Sequence, residues 1–297
     1  MRDFIIFFEE KEGTSPLVRL LDNFRGISVV HQTENRGWEP FDRHNCGAMP
    51  LGSLRECLGI IYGERPLDLE RLNRIYTRTS TLPLADPGEA PEALGFKMRF
   101  RPPVETFGPL QPLMRYGRLA RLLRYCHYAG FRRFILGLLA ACGITVFLTV
   151  RQDLLRWGLS KYHGDGTGRP GHLQFKLAAG EIDRKEIRSI RVDCHRLAGI
   201  IASCRKAHRR KRRLLDRLRR SGIRARPLLY ERFLRDKPRY FRELGRALDT
   251  DVSAEDVDEA LNAGAYFEKV HSNDISSFVE NHEEVLERFG DEYDSWS

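Results

Sequence analysis

Cysteine is sparse and unpatterned. Cys46, Cys57, Cys126, Cys142, Cys194 and Cys204 show neither paired nor metal-like spacing. That excludes a disulfide framework or a thiolate metal centre as the organising device, and the expectation is reduced, partly buried thiols and no metal. No apolar run is long enough to span a membrane. The most apolar stretch, residues 134–150, is interrupted by Cys142 and Gly143 and reads as a helix end followed by a strand. An apolar strand pattern begins almost at the first residue, so a chain without a secretory leader, working in the cytoplasm, is expected. The nucleotide-hydrolase signature G-x-x-x-x-G-K-[ST] is also missing.

The chain has 297 residues, which fits one large α/β domain or two small ones. Hydrophobic residues make up 41%, enough for a sizeable core. The net charge of +9 favours polyanionic partners: a nucleotide, a nucleic acid, an anionic membrane or an acidic glycan.

Residues 4–24, FIIFFEEKEGTSPLVRLLDNF, organise the rest. Phe4-Ile5-Ile6-Phe7-Phe8 is an unbroken apolar run that suits a strand buried on both faces. A helix follows, with Ser15 expected as its N-cap and Pro16 at its first position. Leu17, Leu20, Leu21 and Phe24 then recur at helical spacing. The intervening loop offers Lys11, Gly13, Thr14, Ser15 and the free N–H groups of a helix start, which equips it to grip a phosphate or sulfonate. Many α/β proteins also begin with strand, turn and helix, so residue types alone leave the loop's role open.

A second strand is expected at 27–31, then a loop with Trp38, Glu39, Pro40, Phe41 and Asp42. Leu51, Leu54, Leu58 and Ile61 mark one amphipathic helix, and Leu69, Leu72 and Ile75 another. Residues 94–100 read as a third strand in which Lys97 faces either substrate or solvent. Residues 116–142 are helical, and 144–150 form the strongest strand pattern. Arg151 lies at the carboxyl end of that strand, where open α/β sheets bind ligands, and Ser160 follows on the next helix. The Gly-rich residues 164–171 suit a lid. A long helical pattern covers 182–218. Its basic end, residues 205–220 (RKAHRRKRRLLDRLRR), lacks interleaved aromatics and reads as a solvated charged face. A strand is expected at 224–230, a helix at 238–248, and a terminal amphipathic helix from Ile275, Phe278, Val279, Val285, Leu286 and Phe289.

The order Lys11-x-Gly13-Thr14-Ser15 resembles the phosphosulfate loop of the sulfotransferases that use 3′-phosphoadenosine 5′-phosphosulfate, with Glu12 where a small residue is usual. Trp38-Glu39-Pro40-Phe41 resembles the family segment that carries a catalytic Glu. Arg151…Ser160 is similar to its Arg…Ser pair for the donor's 3′-phosphate, Tyr230-Glu231 to a later structural segment, and Lys269-Val270-His271-Ser272 to the end of bacterial members. The resemblance implies a mainly parallel, P-loop-like α/β sheet flanked by helices, in one domain over residues 1–297. Residues 50–90 and 164–181 would then lie on the acceptor side. It implies sulfonate transfer to a hydroxyl of a glycan, lipid or small alcohol, without a metal. Lys11 would stabilise the leaving phosphate, and Gly13, Thr14 and Ser15 would hold the 5′-phosphate. Arg151 and Ser160 would hold the 3′-phosphate, with Lys269 and Ser272 closing over it. Glu39 would be the general base, with Asp42 and His44 as alternatives. Two other classes remain open: a nucleotide-dependent kinase on a P-loop-like scaffold, and a nucleic-acid-binding protein using residues 205–220.

Overall fold

The computed structural model describes residues 2–33, 41, 49, 51–63, 66–78, 83–86, 91–99, 117–166, 189–250, 252–263 and 274–296; at 117–128, 164–166 and 263 it describes the backbone alone. The first apolar run forms β1, Phe4–Phe8, with every residue buried. It is the centre of a five-stranded parallel sheet. The others are β2 (Ile27–Val29), β3 (Ala93–Arg99), β4 (Thr145–Val150) and β5 (Ala225–Leu229), in the order β2-β3-β1-β4-β5.

Successive side chains of a strand point to opposite faces, and β1 divides its residues accordingly. Ile5 and Phe7 pack with Leu54 and Ile61 of α2 (Leu51–Gly63), Leu72 of α3 (Leu69–Tyr76) and Phe131 of α4 (Gly117–Ala141). Phe4 and Ile6 pack with Leu17 and Leu21 of α1 (Thr14–Leu21). The same cluster takes in α8 (Lys237–Ala247) through Phe241 and α9 (Ala254–Ala263) through Val257. A third cluster joins α5 (Leu154–Gly166) to α6 (Cys194–Arg220), with Gly158 against Leu197 and Ile201 and Trp157 stacked on His208, and takes in Val279 and Val285 from the C-terminal segment. The result is a sheet with helices on both faces.

The strand order locates the site. From β1 the chain passes to β2 and β3 on one side, then returns beyond β1 to β4 and β5 on the other. Connections that leave a central strand in opposite directions open a crevice at the carboxyl ends of the strands, where such sheets bind ligands. The loop after β1 stands at that crevice.

Some boundaries differ from expectation. Helix α1 begins at Thr14 with Gly13 as its N-cap, so Ser15 lies inside the first turn. Helix α6 begins at Cys194, where the Asp193 side chain accepts hydrogen bonds from the N–H groups of His195 and Arg196. Strand β5 ends at Leu229 because Tyr230 already starts α7, Tyr230–Arg235. The expected terminal helix is split into a 3-10 turn, Ile275–Ser277, and α10, His282–Phe289. Asn281 makes the break: its amide accepts from Val192 N–H at 2.8 Å and donates to Val192 C=O at 3.0 Å. No helix among the described residues is long and apolar enough to cross a membrane.

Candidate anion-binding site

The β1–α1 loop carries two left-handed residues, Lys11 at φ 64° and Gly13 at φ 77°. For a lysine that conformation costs about 1–2 kcal/mol, so the surroundings must hold it. Three hydrogen bonds do so. Trp157 Nε1 donates to Glu10 C=O at 2.8 Å, Arg151 Nη1 donates to Lys11 C=O at 3.1 Å, and Glu9 N–H donates to the Glu12 carboxylate at 2.7 Å. Gly13 is required twice over. Its φ is positive, and a β-carbon there would sit 2.2 Å from the Tyr230 ring.

Three carboxylates in a five-residue loop are an odd choice for an anion site. Each one, however, is paired with a cation from elsewhere. Glu9 pairs with Arg210 at 3.3 Å, Glu10 with Arg99, and Glu12 with Lys211. The Lys11 side chain remains exposed at the loop's tip.

Further cations converge from two strands. Lys97 of β3 is 1% exposed. It faces neither open solvent nor a distant pocket: its ammonium donates to Ser15 Oγ at 3.0 Å and lies 5.1 Å from the centre of the Phe8 ring. Arg151, just beyond β4, donates to Ser160 Oγ at 3.0 Å and covers the Tyr230 ring at 5.1 Å. His163, nearly one helical turn beyond Ser160, is buried. Burial first, and then the nearby Lys11 charge, push its pKa below the usual histidine value.

The structure thus gathers Lys11, Gly13, Thr14, Ser15, Arg151 and Ser160 around one loop. Glu39, with Asp42 and His44, lies outside the described residues, as do Lys269 and Ser272. The Tyr230 ring against Gly13 and Arg151, the buried His163 and the Glu12–Lys211 pair were not anticipated from the sequence. A signal for the last was present: Cys204, Lys211 and Leu218 recur at one position of the helical repeat, which places a lysine on an apolar stripe.

The expectation that residues 205–220 are only a solvated basic face is corrected. His208 is fully buried, Lys211 is 6% exposed, and Arg205, Arg210 and Arg212 are paired with Glu292, Glu9 and Asp294. An α-helix presents several faces, and the amphipathic pattern puts part of this basic run inward. Lys206, Arg209, Arg213 and Arg217 are exposed. A separate cleft of about 420 Å³ lies between α6 and the C-terminal segment. It is lined by Arg205, Arg209, Arg212 and Arg288 together with Glu287, Asp291, Glu292 and Asp294, so its charges balance. Among the described residues, no cluster of His, Cys, Asp and Glu is placed to hold a metal ion.

The chain matches no protein-family model and no curated protein. Among solved structures it is similar to a sulfotransferase from Alicyclobacillus acidocaldarius, at 16% identity and a TM-score of 0.41, over 98% of this chain and 92% of that one. At that level the likeness carries no weight for function, and the functional reading rests on the chain's own residues.

Proposed function

We propose that this chain is a sulfotransferase that moves a sulfonate group from 3′-phosphoadenosine 5′-phosphosulfate to a hydroxyl of a glycan, lipid or small alcohol. The observation that carries the reading is the Arg151 guanidinium, which bridges the Lys11 carbonyl and the Ser160 hydroxyl and so joins two candidate phosphate grips at one crevice. The N–H groups of Gly13, Thr14 and Ser15, at the start of α1, suit the 5′-phosphate. Lys97 holds the Ser15 hydroxyl in place. Arg151 and Ser160 offer a planar fork and a hydroxyl for the 3′-phosphate. Lys11 offsets negative charge on the departing phosphate. An alcohol has a pKa far above neutrality, so its proton must be taken as it attacks sulfur, and Glu39 is the proposed acceptor. Lys269 and Ser272 are proposed to close over the 3′-phosphate. These side chains supply the positive charge the transfer needs, and the proposal includes no metal. In this reading residues 1–297 act as one cytoplasmic domain, with 50–90 and 164–181 on the acceptor side.

The test is a set of titrations with 3′-phosphoadenosine 5′-phosphate, ATP and a DNA duplex, followed by an acceptor screen with radiolabelled donor. The bisphosphate should bind tightest. Preference for ATP would favour a kinase, and preference for the duplex a nucleic-acid-binding protein.

A further inference from the structure

The Glu12 carboxylate is the most buried acid of the loop, with its residue 2% exposed. It accepts from three directions: Glu9 N–H at 2.7 Å, the Thr149 hydroxyl of β4 at 2.7 Å, and the Lys211 ammonium of α6 at 2.6 Å. Lys211 also donates to Thr149 C=O at 2.6 Å. One ion pair therefore ties the loop to the end of a central strand and to the middle of the basic helix.

Two physical consequences follow. The first is conformational. Glu12 stands between the two left-handed residues, and its bond to Glu9 N–H closes the loop on itself. The second is electrostatic. A carboxylate immediately before an anion-binding helix start repels the anion, and in a buried setting that repulsion is weakly screened. Lys211 cancels it.

We propose that Lys211 is a positioning residue of the anion site: paired with Glu12, it fixes the loop conformation and neutralises the carboxylate beneath the bound anion. The proposal rests on the loop being the donor's phosphate site. It also gives part of the basic helix a task, because Arg210 does the same for Glu9 from the next position on α6.

The electrostatic part has a pH signature. Burial already raises the Glu12 pKa, against the lowering effect of Lys211 and its hydrogen bonds. Removing the ammonium raises it further. The other groups facing the pair are Glu9 of the loop with its partner Arg210, the buried Cys204 and His208 of α6, and the Thr149 hydroxyl of β4. A folded protein lacking the lysine should therefore bind anions poorly at high pH, where Glu12 is charged, and better as Glu12 takes up a proton.

The experiment compares wild type, Lys211→Met and the double variant Glu12→Gln/Lys211→Met. Each is titrated with inorganic pyrophosphate and with 3′-phosphoadenosine 5′-phosphate from pH 5.5 to 8.5, with thermal melting as the check on folding. Lys211→Met should lose affinity by about ten-fold or more at high pH relative to wild type. The deficit should shrink as pH falls, and the ratio to wild type removes the ligand's own titration. The double variant, with neither charge of the pair, should bind within a few-fold of wild type at every pH. If Lys211→Met does not fold, recovery of binding in the double variant carries the proposal. A single variant that binds like wild type, a pH-independent deficit, or a folded double variant as weak as the single overturns it. Wild type that binds neither probe also overturns it, together with the anion site. Pyrophosphate binding with this dependence, but no nucleotide binding, leaves the proposal standing and removes the sulfotransferase reading.

Discussion

At Arg151 one guanidinium nitrogen already serves two acceptors, the Lys11 carbonyl and the Ser160 hydroxyl. In the proposed reading, the donor's 3′-phosphate would offer stronger, charge-assisted bonds than either. Arg151→Ala should therefore weaken 3′-phosphoadenosine 5′-phosphate by about 2–4 kcal/mol while changing adenosine 5′-phosphate, which lacks the 3′-phosphate, far less. Paired calorimetric titrations read the difference, and equal losses for both nucleotides would remove Arg151 from the 3′-site. That Arg151 and Ser160 lie side by side was legible in the sequence, because a cation at a strand's carboxyl end and a hydroxyl on the following helix have a position fixed by local structure alone. Lys97 was half legible. Its strand was clear, but its bond to Ser15 depends on which face of β3 meets α1, and that is settled only by the pairing of β1 with β3. Of the Glu12–Lys211 pair only the lysine left a trace, on the apolar stripe of its helix; that Glu12 is its partner was not legible, because the two lie 199 residues apart.

Helix α6 shows the same limit at the scale of an element. Its existence and its apolar stripe follow from periodicity, whereas its start is set by the Asp193 cap and its inward charges by what lies beneath them. Sequence reading treated the whole basic run as one surface; the structure divides it by face. Lys206, Arg209, Arg213 and Arg217 are among its exposed residues. Replacing all four with glutamine should leave the bisphosphate's affinity within a few-fold at physiological salt, because exposed charges are screened over about 8 Å. It should also leave the melting temperature within a few degrees, since surface substitutions of this kind usually change stability by about 0.5 kcal/mol or less. A much larger loss of affinity would show that the outer face reaches the donor as well.

The C-terminal segment closes the molecule onto this helix and makes its stability sensitive to acid. His208 of α6 is fully buried, stacked on Trp157 with ring centres 5.1 Å apart, and bonded through Nδ1 to Asp294 at 2.8 Å. Asp294 can only accept, so Nδ1 carries the proton, and Nε2 is buried with no partner among the described residues. A second proton would create a buried charge and an unsatisfied donor. Burial accordingly pushes the pKa down to about 4, from 6.5, against the opposing bond to Asp294. The folded state binds fewer protons than the unfolded chain between those values. The stabilisation is complete above about pH 6.5, falls as pH drops, and is gone near pH 4, a loss on the order of 3 kcal/mol. Melting curves of wild type and His208→Gln over that window should converge as pH falls, and parallel curves would count against His208 as the titrating group. The sheet order has a different outcome, one that concerns synthesis. Phe4 of β1 pairs with Gly95 on one side and Thr145 on the other. At typical elongation rates the ribosome needs on the order of ten seconds to deliver both neighbours. Until then an apolar segment, FIIFF, waits with two open edges, the condition that invites capture by a chaperone or by another nascent chain. The strand that anchors the finished sheet is thus its most vulnerable part during translation.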